Sequence, residues 1–358
     1  MSSQDGMNYA PKGKPSPVVE KGEFPIAATR LDHGHINGQC NGLVEAGAEL
    51  RYVYDPDPAK IEAFCQRFPG VKPVENEDQI LNDPEIKLVA AAAIPNERGP
   101  LGLRVMDAGK DYFTDKTPFT TFDQLEAARK KTAETGRKYM VYFSERLHVE
   151  CAMFAGDLID QGAIGRAFQV VGFGPHRIGD PSKRPDWFYK KEQYGGILTD
   201  IGSHQCEQFL HYTGATDGNV NSARVANFNH PDYPEFEDFG EASLVGENGA
   251  SFYFRVDWFT PDGLSAWGDG RTFIFGTKGF IELRKYVDIA NDRKGDQLYL
   301  VNEEGEQRMD VSGKVGYPFF GKLIIDCLNR TEDAMTQEHA FKAAELCLKA
   351  QDYADKNR

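Results

Sequence analysis

Asp200 and His204 stand four positions apart in the run "YGGILTDIGSHQCEQFLHYTG", residues 194–214. In a helix that spacing puts a carboxylate and an imidazole on one face. The carboxylate raises the imidazole pKa and fixes its tautomer, which suits a general base taking a proton from a hydroxyl while hydride leaves the same carbon. Gly195 and Gly196 before the helix and Gly202 within it permit close approach by another backbone or a ligand. An interior glycine costs about 1 kcal/mol relative to alanine, which invites a compensating contact. Two other readings stay open. Asp200, His204, Glu207 and His211 can be arranged round a metal ion, although no HExxH-like spacing supports it, and Asp200 with His204 can be a plain surface ion pair.

A second group of candidates sits where strands end. Lys116, in "DKTP", follows an apolar strand and is held by the nearby Pro118. It can act as a point charge on a substrate oxygen or in proton transfer, the alternative being a solvated strand-end lysine. Asp55 ends "ELRYVYD", where an acid accepts hydrogen bonds from adenosine ribose hydroxyls and repels a 2′-phosphate, favouring NAD over NADP. It can equally cap the next helix. Pro95 and Asn96, in "IPNERGP", close another strand, and Asn96 can bond a ribose or cap the helix that follows. In "RLDHGHING", residues 30–38, His33 and His35 are spaced to chelate, but no neighbouring cysteine or acidic cluster completes a shell, so no metal is expected.

These positions need a frame. From Phe24 to about Tyr142, apolar runs ("IAAT", "ELRYVYD", "KLVAAAAIP", "DYFTDK", "KYMVYF") alternate with amphipathic ones such as "TTFDQLEAARKKTAETG", which has a threonine cap and a glycine stop. That rhythm implies an α/β fold with an N-terminal Rossmann doubly wound parallel sheet, whose ligands bind at the carboxyl ends of its strands. After Tyr142 the rhythm changes. Helical stretches surround a Pro-rich, charged loop, and from Val220 to Val311 strands follow one another, with "GENG" and "GTKG" as hairpin turns whose glycines supply positive φ. A C-terminal α+β domain with a mainly antiparallel sheet is expected, closed by two helices. The predicted boundaries are a surface-draped or flexible arm at 1–23, a dinucleotide-binding domain at 24–147 and a substrate and oligomerisation domain at 148–358.

Composition narrows the function classes. The chain has 358 residues, and its net charge of −14 disfavours nucleic acid or an anionic membrane as partner. The six cysteines form no CxxC pair, so reduced, buried thiols in a cytoplasmic protein are expected. The N-terminal stretch has no apolar core of a secretion signal, and no run approaches the ~20 apolar residues of a membrane span.

Taken together, the βαβ opening, "DKTP" on the fifth strand and "GGILTDIGSH" on a later helix resemble the glucose-fructose oxidoreductase/inositol dehydrogenase/rhizopine-catabolism (Gfo/Idh/MocA) family, from about residue 24 onward. The resemblance implies a Rossmann domain followed by a domain with a large open sheet often used for homo-oligomerisation. It also implies NAD(P)-linked chemistry at a hydroxyl carbon of a sugar, glycoside or cyclitol. The family motif Glu-Lys-Pro falls on Asp115-Lys116-Thr117-Pro118, with one residue inserted. By the resemblance His204 takes the proton, Asp200 orients it, and Lys116 contacts the reacting hydroxyl and the nicotinamide ribose.

The opening turn departs from the family's GxGxxG. Arg30 stands where the first glycine is expected, Gly34 is the candidate beneath the pyrophosphate, and Gly38 is a possible later glycine. A divergent phosphate turn is expected, in which Gly34, His35 and Ile36 at the start of helix 36–46 offer backbone amides to a phosphate, with Arg30 or the histidine pair as further contacts. His176, Arg177, Arg184 and Trp187, in the loop ahead of the Asp200–His204 helix, and Arg146, in "SERLHVE", are donors and an aromatic plane of the kind that bind polyhydroxylated rings. An NAD-dependent dehydrogenase is expected. A glycoside-cleaving enzyme that uses NAD transiently and a non-enzymatic ligand sensor are the alternatives.

Overall fold

The computed structural model describes residues 5–358. Two compact units divide the chain: a first comprising Met7–Tyr142 and Tyr317–Phe341, and a second comprising the chain up to Gly6, Phe143–Gly316 and Lys342–Arg358.

In the first unit, strands and helices alternate as β1 (Pro25–Thr29), α1 (Ile36–Glu45), β2 (Glu49–Tyr54), α2 (Pro58–Arg67), β3 (Lys72–Pro73), α3 (Glu77–Leu81), β4 (Leu88–Ala91), α4 (Pro95–Asp107), β5 (Asp111–Asp115), α5 (Phe122–Thr135) and β6 (Tyr139–Tyr142). The strands form one parallel sheet in the order β3-β2-β1-β4-β5-β6, the doubly wound arrangement with its switch between β1 and β4. β1, β4, β5 and β6 are buried along their whole length, which explains why they read as unbroken apolar runs. Helix α5 begins on the Thr121 side chain and stops at Gly136 in the left-handed region, as its sequence predicts.

The arm drapes over α1. The Gly13 amide donates to the Glu45 carboxylate at 2.9 Å, Ser16 and Val18 amides donate to the Glu45 and Ala46 carbonyls, and the Asn41 side chain donates to the Ala10 and Pro11 carbonyls.

The second unit continues with α6 (Ser144–Leu147), α7 (Glu150–Asp160), β7 (Ala167–Pro175), α8 (Lys191–Tyr194), α9 (Ile197–Asp200), α10 (Gly202–Thr213) and the strands β8 (Gly218–Ala226), β9 (Phe239–Gly246), β10 (Ser251–Asp257), β11 (Arg271–Gly276), β12 (Gly279–Arg284), β13 (Gln297–Asn302) and β14 (Gly305–Asp310). Eight strands form a sheet ordered β14-β13-β12-β11-β7-β10-β9-β8, antiparallel throughout except where β7 pairs with β10. Buried and half-buried residues alternate along β9 and β10, so one face of the sheet is covered, with α10 packed on β7. Of the two hairpins, only "GENG" uses its glycine for positive φ, at Gly249. In "GTKG" the glycines serve close packing: a Cβ on Gly276 or Gly279 would overlap the Ile164 or Val301 carbonyl.

The chain ends in α11 (Pro318–Asn329) and α12 (Gln337–Lys356). Here the structure departs from the expected division, because residues 317–341 belong to the first unit. Gly42 leaves room for the Phe320 ring, Phe319 lies 6.0 Å from Phe113, Phe341 lies 6.0 Å from Phe119, and Arg330 pairs with Asp111 at 2.7 Å. No helix among the described residues is long and apolar enough to cross a membrane.

Candidate active site

The β1–α1 turn keeps a glycine-type backbone without the glycine. Arg30 sits at φ 52°, in the left-handed region, which costs a non-glycine residue roughly 1–2 kcal/mol. Its side chain turns to Glu77 at 3.4 Å and Glu97 at 3.8 Å. The close approach that Gly34 permits is taken by the arm, since a Cβ there would overlap the Met7 carbonyl and meet Asn8 at 3.0 Å. Gly38 is required by β6, as a Cβ would lie 2.5 Å from the Tyr142 hydroxyl. Both glycines therefore serve packing. Ile36 opens α1, and its amide donates to the His33 carbonyl at 3.2 Å.

The histidine pair meets the acid that the linear sequence hides. His35 Nδ1 lies 2.9 Å from Asp115 Oδ1 and His33 Nδ1 lies 3.2 Å from Asp115 Oδ2. These three supply ligand-type atoms within 4.8 Å of one another, the one such group among the described residues. The carboxylate is already engaged, however, because the Lys116 amide donates to Oδ1 at 2.8 Å and Arg98 Nη2 donates to Oδ2 at 3.2 Å. The Lys116 amide, Arg98 and His35 engage the carboxylate while His33 Nδ1 accepts the His35 amide at 3.2 Å, and the guanidinium repels a second cation, so the arrangement is a structural hub. Burial opposes the Asp115 charge, but His35 and Arg98 outweigh it and hold the carboxyl well below the usual carboxylate range. Burial pushes the His33 pKa down and keeps that ring neutral.

Arg98 is the residue that sequence reasoning missed here. It is 1 % exposed. Its guanidinium donates to the Ala93 carbonyl at 2.7 Å, to Thr117 at 3.1 Å and to the Lys116 carbonyl, as well as to Asp115. The backbone of Lys116, whose peptide to Thr117 is cis, is thereby fixed at the carboxyl end of β5, and its side chain is buried rather than solvated.

The strand ends suit a dinucleotide. Beside the ends of β1 and β4 lies a cleft of about 240 Å³, lined by Arg30, Ala93, Asn96, Glu97, Leu101 and Arg104. Asn96 does not cap α4, which starts at Pro95; the residue lines this cleft, and its buried Oδ1 has no hydrogen-bond partner. Asp55 is likewise not the cap of α2, a role taken by Asp57. Its Oδ2 accepts the Leu31 amide at 2.6 Å, and its Oδ1 accepts the Asp57 amide at 2.8 Å and lies 3.8 Å from Lys60 Nζ, leaving a lone pair on Oδ2 for a ribose.

In the second unit, the expected single helix is broken at Ile201: Asp200 ends α9 and His204 is the third residue of α10, its amide donating to the Ile201 carbonyl at 3.2 Å. Gly202 lets α10 sit on β10, since a Cβ would lie 3.1 Å from the Phe254 ring. His204 is buried, edge-on to Phe143 at 6.5 Å. Its sequence neighbour Gln205 reaches Glu145, donating to Oε2 at 3.0 Å. Lys285 donates to the same oxygen at 3.0 Å, and His176 Nε2 lies 4.0 Å from Oε1. Burial works against the Glu145 charge, but Lys285, His204 and His176 outweigh it and bring the carboxyl pKa down to about 2. Glu145 and Lys285 are 140 positions apart, which is why nothing in the sequence pairs them.

The expected substrate contacts divide. His176 belongs to this cluster, packed against Trp267 at 4.5 Å and Trp258 at 5.4 Å. The arginines do not join it. Arg146 forks onto Glu207, with Nε at 2.7 Å, an ion pair that also removes Glu207 from any metal shell. Arg177 donates to the Pro261 and Leu264 carbonyls, and Arg184 donates to the Ile178 and Arg177 carbonyls while lying 4.9 Å over Phe188. Both stitch loops together. Trp187 is buried against Phe188. His211 packs on α7, where Gly156 makes room for its ring.

Comparison with known proteins gives these units a lineage. A family model for the oxidoreductase family with an NAD-binding Rossmann fold matches residues 30–143, and one for the GFO/IDH/MocA C-terminal domain matches residues 153–282. A crystal structure from Erwinia carotovora atroseptica SCRI1043, provisionally described as an oxidoreductase, is 52 % identical with a TM-score of 0.89, covering 92 % of this chain and 98 % of that one. The NAD-dependent scyllo-inositol 2-dehydrogenase of Bacillus subtilis (strain 168) is 27 % identical over 254 residues, 70 % of either chain. Levoglucosan dehydrogenase in complex with NADH and levoglucosan shares the fold, with a TM-score of 0.75 at 16 % identity over 94 % of this chain and 98 % of that one. The chain belongs to the Gfo/Idh/MocA family, and is an NAD-binding oxidoreductase related to the sugar and inositol dehydrogenases.

Proposed function

We propose that this protein is an NAD-dependent dehydrogenase that oxidises a secondary hydroxyl of a neutral sugar, glycoside or cyclitol. The observation that carries the reading is Lys116, buried and clamped by Arg98 and Asp115 at the carboxyl end of β5 in the NAD-binding unit. The carboxyl ends of such strands are where a doubly wound sheet binds its ligand, and a lysine there offers a cation to a substrate oxygen.

Asn96 and Asp55 bind the adenosine ribose. Bound NAD supplies the hydride acceptor. Lys116 polarises the reacting hydroxyl and the nicotinamide ribose. His204 takes the hydroxyl proton, and Asp200 orients its ring. The uncovered face of the eight-stranded sheet, with Phe173, Phe273 and Arg255 round a hollow of about 500 Å³, is offered to a second copy of the chain.

Purified protein is incubated with NAD or NADP and with scyllo-inositol, D-xylose, levoglucosan and simple glycosides, and reduced nicotinamide is followed by absorbance. The expected result is net NADH formation from at least one polyol. Lys116→Ala and His204→Ala each lose turnover by about 10²–10⁴-fold while NAD affinity in calorimetry is retained. Aglycone release without net NADH, or substantial turnover in both variants, overturns the assignment.

A further inference from the structure

Glu145 is built into the second unit with one oxygen hydrogen-bonded and the other facing only His176 Nε2, 4.0 Å away. The residue is 1 % exposed and lies on α6. Oε2 takes two donors, Lys285 Nζ and Gln205 Nε2, each at 3.0 Å, and the Lys285 side chain is itself fully buried. Oε1 is buried and has no hydrogen-bond partner.

The surrounding chain is shaped to keep it so. Gly172 and Gly174 on β7 form the slot in which Gln205 lies: a Cβ on Gly172 would overlap Gln205 Oε1, and one on Gly174 would stand 2.9 Å from its Nε2. Two glycines in the middle of a strand weaken it, so the slot is retained against a cost. Balancing the charge of a buried oxygen does not replace the hydrogen bonds it loses with its hydration. Such an atom fits a site completed by a ligand.

Resting on the dehydrogenase reading above, we infer that Glu145 Oε1 accepts a hydrogen bond from a second hydroxyl of the substrate, and so determines specificity beside His204. The charges around Oε1 select the donor. A ligand carboxylate or phosphate is repelled by Glu145, and an ammonium by the adjacent Lys285, whereas a neutral hydroxyl satisfies the oxygen without adding charge. The His204 charge acts on the Glu145 carboxyl, which puts this acceptor within reach of the imidazole. The substrate class is narrowed to neutral polyols with a hydroxyl close to the reacting carbon. A site built for a hydroxyl rejects the analogue without it, because the protein group is then left unpaired.

The test uses the polyol that the wild-type protein turns over best, among scyllo-inositol, D-xylose and levoglucosan, together with its singly deoxygenated analogues. The wild-type enzyme loses about 10- to 150-fold in kcat/KM on one analogue, chiefly through KM. Glu145→Gln loses a comparable factor on the parent polyol and nothing further on that same analogue. Glu145→Asp, which keeps the charge but withdraws the oxygen, follows the same pattern and serves if the first variant misfolds. Equal losses on the parent and every analogue, or no loss at all, overturn the inference while leaving NAD-dependent turnover intact. Absence of both NAD binding and polyol turnover in the wild-type protein instead removes the dehydrogenase reading, and this inference with it.

Discussion

Replacing Lys285 by methionine should reverse the acid sensitivity of the second unit. In the native protein the Glu145 carboxyl is brought from 4.5 down to about 2. A group depressed in the folded state contributes stability that is present above its unfolded pKa and lost as the pH falls through the folded one, here between about 4.5 and about 2. At roughly 1.4 kcal/mol per pH unit the contribution is at most about 3 kcal/mol. Lys285→Met leaves the carboxylate buried with Gln205 as its remaining donor. Burial then dominates and raises the pKa above the unfolded value. Glu145 stabilises only below that value and loses the benefit as pH rises, so the variant is weaker by about 3–5 kcal/mol near neutrality and recovers towards acid. Trp187, Trp258 and Trp267 are the only tryptophans in the chain and all lie in the second unit. Urea melts followed by tryptophan fluorescence between pH 3 and 7 therefore report this unit alone. Glu145→Gln/Lys285→Met, which removes both charges, should melt with neither slope. A Lys285→Met profile parallel to the native one, or a neutral-pH loss below about 1 kcal/mol, refutes the account of the pair.

Other consequences concern the first unit and the Gln205 slot. Arg98→Lys keeps a cation but not the fork, and should cost the first unit about 2–4 kcal/mol by far-UV circular dichroism, with the tryptophan transition unmoved; a loss confined to the tryptophan signal contradicts it. Gly172→Ala should cost about 1–2 kcal/mol, since Gln205 can swing away only by releasing Glu145, and Gln205→Ala added to it should return most of that loss. Failure of the second substitution to rescue the first rules out the slot. Gly34→Ala should lift the arm, so that trypsin cuts after Lys12 roughly tenfold faster or more while the remainder stays resistant; unchanged cleavage shows that the arm is not seated there.

The parallel sheet was legible because burial on both faces leaves β4, β5 and β6 almost purely apolar, and the second sheet because its strands alternate. The cap and stop of α5 were legible for the same local reason. What failed was partnership at long range. Arg146, Arg177 and Arg184 have the residue types of sugar contacts, yet each forms an internal bond to a group distant or unremarkable in the sequence. Asp115, which completes the His33–His35 group, is 80 positions from His35. Gly34 makes room for the arm, which the sequence does not say, because a missing side chain shows that something comes close without saying what. Glu145 passed unnoticed in "SERLHVE" because its meaning lies in Lys285 and in two strand glycines. The parallel pairing of β7 with β10 also leaves no local mark.

The return of residues 317–341 to the first unit bears on how the polypeptide is made. A ribosome that has just released Tyr142 has supplied all six strands of that sheet but none of Phe319, Phe320 or Phe341, the rings that close its flank. The nascent domain must wait, incompletely covered, through the synthesis of the entire second sheet. A fragment cut at the apparent boundary is thus an unfinished object, and a stable excised version of this half requires the distal segment grafted back on.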